Sequence, residues 1–118
     1  MNFQDIIFDN KNGLITIKGV FIEEDPQENF RKLDAQIDDF LSHSPQNITL
    51  DFKIEYFNTN MSMVIRDLLR HLSENLNGKN LKVNWYYETE DEDLEDAGNE
   101  FKLIFNELNF EIIEVSEL

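Results

Sequence analysis

The chain has 118 residues, 41% of them hydrophobic, and no cysteine. This length fits one domain spanning 1–118, and the ten phenylalanines supply material for a buried core. A net charge of −15 argues against nucleic acid and anionic membrane surfaces as partners, which would both repel it, and favours basic protein surfaces.

Without cysteine there are no disulfides, thiolate nucleophiles or cysteine zinc sites. No apolar run approaches the ~18 residues of a membrane-spanning helix. The start, Met1-Asn2-Phe3-Gln4-Asp5, lacks the basic and apolar regions of a signal peptide. A soluble, cytoplasmic protein is expected.

In chain order, Ile6-Ile7-Phe8 is a short apolar run that stops at the turn residues Asp9-Asn10-Lys11-Asn12-Gly13. From Leu14 to Lys18, Ile15 and Ile17 alternate with Thr16 and Lys18, which completes a β-hairpin. Gly19 and the acidic link Glu23-Glu24-Asp25 follow. Pro26 suits a first helical turn. Phe30, Leu33, Ile37, Phe40 and Leu41 then fall on one helical face, with Arg31, Lys32, Asp34, Asp38 and Asp39 opposite. Ser42-His43-Ser44-Pro45 ends that helix.

The next strand is the best patterned. Ile48, Leu50, Phe52 and Ile54 face one way, and Thr49, Asp51, Lys53 and Glu55 the other. After Tyr56-Phe57-Asn58-Thr59-Asn60 the spacing turns helical, through Met61, Ile65, Leu68, Leu69, Leu72 and Leu76, with Asn77-Gly78 as the expected C-cap. Leu81, Val83, Trp85 and Tyr87 alternate with Lys82, Asn84 and Tyr86 in a fourth strand. The acidic run Glu88-Thr89-Glu90-Asp91-Glu92-Asp93 opens a third helix, with Leu94, Ala97, Phe101, Ile104, Phe105 and Leu108 inward. Phe110 to Val115 makes a last strand.

The order is ββαβαβαβ. Strands alternating with helices imply parallel pairing and right-handed crossovers. Strands polar on one side imply helices mainly on the other. The expected architecture is a two-layer α/β domain, with a mixed, mostly parallel five-stranded sheet and an N-terminal hairpin.

Catalytic motifs are missing. The two histidines, His43 and His71, have no triad pattern around them, and the four glycines form no phosphate-binding loop. The acidic run does not carry a calcium loop in registers starting at Asp91 or Asp93. Acidic residues in a first helical turn complement the helix dipole. They would also lie on the same sheet edge as Thr59 if the third and fourth strands are parallel neighbours. Thr59 sits where a strand meets a helix N-terminus, with backbone N–H groups that lack intrahelical partners. Asn58 or Thr59 could cap that helix, and a phosphate on Thr59 is compatible with such a cap.

Three strings carry a resemblance. Tyr56-Phe57-Asn58-Thr59 before a helix, Val83-x-Trp85-Tyr86-Tyr87, and Asp91-Glu92-Asp93-Leu94-x-x-Ala97-Gly98-x-Glu100-Phe101 resemble the SiaC family of bacterial regulatory phosphoproteins. The resemblance implies a non-enzymatic protein of STAS-like fold, similar to anti-sigma factor antagonists, without a cofactor. It implies phosphorylation of Thr59 by a Ser/Thr kinase with a histidine-kinase-like ATPase fold, and reversal by a PP2C-type phosphatase. It also implies an output partner, in some systems a diguanylate cyclase. Met63 stands where the family usually has lysine, and Glu23-Glu24-Asp25 where it often has Pro-Glu-Asn. The expected partner surface comprises Tyr56, Asn58, Asn60, Ser62, Asp91 and Asp93, with Tyr56 and Phe57 anchoring the junction. The alternative is an acidic ligand- or divalent-metal-binding domain that uses the open sheet face around an exposed Tyr86.

Overall fold

The computed structural model describes residues 6–21 and 26–118, with side chains described for 6–20 and 31–118. The expectations for Phe30 and for Glu23-Glu24-Asp25 therefore fall outside the described side chains. The elements are β1 (Ile6–Asp9), β2 (Leu14–Phe21), α1 (Pro26–Ser42), β3 (Asn47–Phe57), α2 (Thr59–Glu74), β4 (Asn80–Glu88), α3 (Glu92–Ile104) and β5 (Asn109–Val115). This is the order expected from hydrophobic periodicity. No helix among the described residues is long and apolar enough to cross a membrane.

The sheet runs β1-β2-β3-β4-β5 in sequence order. The β1–β2 pair is an antiparallel hairpin and the other three pairs are parallel. Three successive right-handed crossovers that step in one direction place all their helices on one face. Burial follows. Ile48, Leu50, Phe52 and Ile54 on β3 are buried, as are Leu81, Val83 and Trp85 on β4. The opposite face carries Thr49, Asp51, Lys53, Lys82, Asn84 and Tyr86, all partly exposed. There Asn84 donates to Asp51 at 2.9 Å, and Lys82 pairs with Glu111 at 3.1 Å. Tyr86 is half-buried rather than exposed, with the Lys53 ammonium 5.3 Å from its ring centroid.

Trp85 is the largest fully buried side chain. Its rings lie 5.0 Å from Phe52, 5.4 Å from Phe101 and 6.3 Å, edge-on, from Phe57. Its indole N–H donates to the Leu94 carbonyl at 2.9 Å, which satisfies a buried donor. Gly98 lets α3 approach this closely, because a Cβ there would collide with Trp85 Cδ1 and lie 2.7 Å from Nε1.

α1 and α2 pack against each other through a polar seam as well as an apolar one. His71 on α2 meets Asp38 at 2.8 Å and Asp34 at 3.6 Å. Asp34 therefore turns toward α2 and is partly buried there, while Asp38 reaches His71 from an exposed position. The α1 C-terminus has no basic residue in its last turn. Lys79, from the far side of α2, supplies the cation and donates to the carbonyls of Leu41 at 2.7 Å and Ser44 at 2.9 Å.

Three further local expectations change. β2 does not stop at Lys18 but continues to Phe21 through Gly19, which has φ 108. α2 ends at Glu74 with Asn75 as C-cap, and Asn77-Gly78 forms a separate turn in which the Lys79 N–H donates to Leu76 O at 3.0 Å. Ile104, expected inward, is 51% exposed because α3 ends there and the chain turns toward β5, so the buried position passes to Phe105.

Two predictions follow from this packing. Gly98→Ala gains helix propensity of about 1 kcal/mol, but overpacking against Trp85 costs about 1–3 kcal/mol. The urea midpoint should fall, and a raised midpoint would contradict the close approach. The second concerns Asp34. Burial pushes its carboxyl above the ordinary 3.8; the His71 charge opposes the rise, and Asp38 and Asp67 add to it. The native state then holds a proton that the unfolded chain has lost, so this stabilisation is present below pH 3.8 and fades as pH rises through the raised value. Over that window Asp34→Asn should gain stability relative to the parent, and a constant difference in midpoint would refute the assignment.

Candidate functional site

The carboxyl edge of the sheet is shaped by a β-bulge. Gly19 pairs with Ile54 and Val20 with Tyr56, which leaves Glu55 as the extra residue on β3. One extra residue reverses the side-chain alternation. Phe57 consequently turns inward, against Trp85 and Phe101, while Tyr56 is 52% exposed. The expectation that Tyr56 and Phe57 both anchor the junction is corrected: Phe57 anchors and Tyr56 projects. The β3–β4 ladder ends at Phe52 and Trp85, although β2–β3 pairing continues to Phe57. The two central strands therefore part at this edge.

α2 starts directly after Phe57. Asn58 is its N-cap, with φ −90 and ψ 176, and its Oδ1 accepts from the Met61 N–H at 3.0 Å. Thr59 is the first helical residue and is exposed, which leaves its hydroxyl free of the capping task. Asn60 is exposed and Ser62 partly so. Met63, one turn beyond Thr59 on the same side of the helix, is 47% exposed. The first turn of α2 contains no acidic residue.

α3 starts at the same edge with the opposite charge pattern. Asp91 is its N-cap and accepts from the Leu94 N–H at 3.2 Å, and Glu92, Asp93 and Glu95 fill the first turn. Tyr87 donates to Glu95 at 3.1 Å and ties this turn to β4; burial and that carboxylate push the Tyr87 hydroxyl pKa up. A groove of about 380 Å³ lies between the end of β3 and the start of α3, lined by Glu55, Tyr56, Phe57, Asp91, Asp93 and Leu94.

The structure thus brings together Tyr56, Asp91 and Asp93 from the expected set. Asn58, Thr59, Asn60 and Ser62 stand beside that groove on the first turn of α2, outside its wall. Glu55, Phe57 and Leu94 belong to the groove and were not expected there. The available signal was the Ile54-Glu55-Tyr56-Phe57 string, whose neighbouring aromatics cannot both follow a strict alternation. Among the described residues, no group of three or more His, Asp or Glu side chains converges as metal ligands, and Asp91 is occupied as a cap.

The cap can be tested alone. Asn58→Ala should destabilise the protein by about 1 kcal/mol, as loss of a side-chain cap does. Asn58→Asp should restore most of it. Equal midpoints for all three proteins would remove the cap assignment.

The geometry matches known structures. A chain in the crystal structure of the diguanylate cyclase SiaD in complex with its activator SiaC, from Pseudomonas aeruginosa, superposes with a TM-score of 0.73 at 23% identity, covering 92% of this chain and 88% of that one. SiaC of Pseudomonas aeruginosa matches with a TM-score of 0.67 at 22% identity, covering 87% and 83%. The crystal structure of apo-SiaC from the same organism gives 0.65 at 20% identity, covering 96% and 84%. These likenesses establish the fold. No curated protein matches the sequence significantly. The model of the family described as SiaC family regulatory phosphoprotein matches residues 3–115, nearly the whole length. The chain belongs to the SiaC family of regulatory phosphoproteins.

Proposed function

We propose that this chain is a non-enzymatic partner-switching regulator in which Thr59 carries a reversible phosphate. The observation that carries the reading is the exposed Thr59 hydroxyl on an acid-free first helical turn, in a member of a regulatory phosphoprotein family. A phosphate there adds roughly −1.5 to −2 charges at the positive end of the α2 dipole. The cap on Asn58 Oδ1 stays in place, so the core need not refold when the phosphate arrives.

A Ser/Thr kinase with a histidine-kinase-like ATPase fold adds the phosphate and a PP2C-type phosphatase removes it. The output protein docks on the edge formed by Tyr56, Asn58, Asn60, Ser62, Asp91 and Asp93. SiaC of Pseudomonas aeruginosa is described as the activator of the diguanylate cyclase SiaD. A diguanylate cyclase is therefore one candidate output protein for this chain. Met63 gives the phosphate no cation one turn along α2, and basic groups of the partner would read it. The switch extends only as far as partner affinities differ between the two forms; inverting a 1:99 occupancy takes about 10⁴-fold.

Mass spectrometry of the protein isolated from its cell should find phosphate on Thr59 and lose it in Thr59→Ala. The thermal midpoint of that variant should barely move, since an exposed first-turn position away from the core contributes within about 0.5 kcal/mol. Thr59→Ala and Thr59→Asp should retain different partners in pull-downs. If no phosphate is found under any growth condition and both variants keep the same partners, the reading fails.

A further inference from the structure

The turn between α2 and β4 holds an asparagine–glycine pair, Asn77-Gly78, that takes no part in the Thr59 edge. A second such pair, Asn12-Gly13, lies in the β1–β2 turn, and the two have opposite surroundings. The Asn12 side-chain amide donates to Asp9 at 2.8 Å and its backbone N–H to the same carboxylate at 3.2 Å. Gly13 is buried, its carbonyl accepts from Thr49 at 2.8 Å, and a Cβ on it would meet Asn47 O and lie 2.8 Å from Pro45 Cγ. Asn77 and Gly78 are both exposed, with φ 51 and 86, and nothing lies within 4 Å of a Cβ built on Gly78. Among the described residues, no hydrogen bond holds the Asn77 amide or the Gly78 N–H.

We propose that Asn77 is a site of spontaneous deamidation, and that Asn12 is protected from it by its turn. The Gly78 backbone nitrogen, after losing its proton to solvent base, attacks Asn77 Cγ. A C–N bond forms, the Cγ–Nδ2 bond breaks, and the side-chain nitrogen leaves as ammonia with a proton from solvent. Water then opens the cyclic imide at one of its two carbonyls and gives aspartate or isoaspartate. The net reaction is amide plus water to carboxylate plus ammonium, with no change of oxidation state. An open glycine permits ring closure because no side chain crowds the attacking nitrogen.

The new carboxylate has a specific neighbour. Asn77 and Lys79 line the same hollow of about 250 Å³ at the end of α1. The Lys79 ammonium there closes α1 through Leu41 O and Ser44 O. A carboxylate at position 77 competes for that ammonium. In the isoaspartate form the extra backbone atom also moves Gly78 O away from Gln46 Nε2, now 2.7 Å distant. Deamidation thus loosens the junction between α1 and β3.

The test is incubation of the folded protein in mildly alkaline buffer, followed by peptide mapping for the amide-to-acid mass gain. Isoaspartate is counted by an added isoaspartyl methyltransferase, which transfers the methyl group of S-adenosylmethionine to its carboxylate. Asn77 should convert roughly tenfold or more faster than Asn12, equivalent to about 1.4 kcal/mol in barrier. In the denatured chain the two rates should converge. Equal rates in the folded protein, or no conversion at Asn77 while the denatured chain converts, would overturn the proposal. For the consequence, Asn77→Asp should melt earlier than Asn77→Ser, and the gap should close in a Lys79→Met background. A gap that persists without Lys79 would overturn the competition.

Discussion

The carboxyl edge of this protein depends on how Trp85 is held. The indole is clasped between Phe52 on β3, Phe57 beyond the bulge and Phe101 on α3, and its N–H is bound by Leu94 O. These contacts join β3, β4 and α3 beyond the point where β3 and β4 stop pairing, at Phe52 and Trp85. Removing any ring would loosen the Phe57 anchor and the α3 start together. Because Phe57 is fixed inward, the bulge leaves Tyr56 outward, and because Leu94 is fixed on the indole, Asp91 and Asp93 face Tyr56 across one groove. A buried aromatic cluster thus sets the positions of exposed polar groups.

Two helices begin at this edge with opposite charge provision. α3 brings its own carboxylates to its N-terminus, and α2 brings none. Both are capped by a side-chain oxygen, so neither helix needs an added anion in order to fold. A phosphate on Thr59 would give the α2 start the negative charge that α3 already has. The edge would then change from half-acidic to acidic throughout, without rearrangement of the core. With Met63 exposed one turn along, the edge presents the apolar Tyr56 and Met63 beside an acidic flank. An apolar and basic partner segment would complement that surface, and a phosphate on Thr59 would alter its balance in place.

Much of this architecture was legible in the sequence because the periods are clean. The alternation from Ile48 to Ile54 and the helical spacing from Met61 to Leu72 fix their elements, and the element order fixes parallel pairing with one-sided helices. What escaped has a common cause. The bulge at Glu55 depends on pairing with Gly19, a partner far away in sequence, so the outward turn of Tyr56 could not be read from its own strand. His71 carries no motif, yet it bridges two helices through Asp34 and Asp38, a contact set by tertiary packing. Lys79 caps α1 across the fold, a role that no local pattern announces. Ile104 fits the helical period but comes after the helix has stopped needing an inward residue. The Asn58 cap and the acidic start of α3 were readable because caps are local chemistry.

The most direct test of the account compares one purified output partner with two forms of this protein, unmodified and phosphorylated on Thr59. Calorimetry should give affinities that differ by orders of magnitude, while the circular dichroism spectra and thermal midpoints of the two forms stay close together. Equal affinities, or a difference accompanied by loss of the folded core, would contradict a switch located on the Thr59 edge.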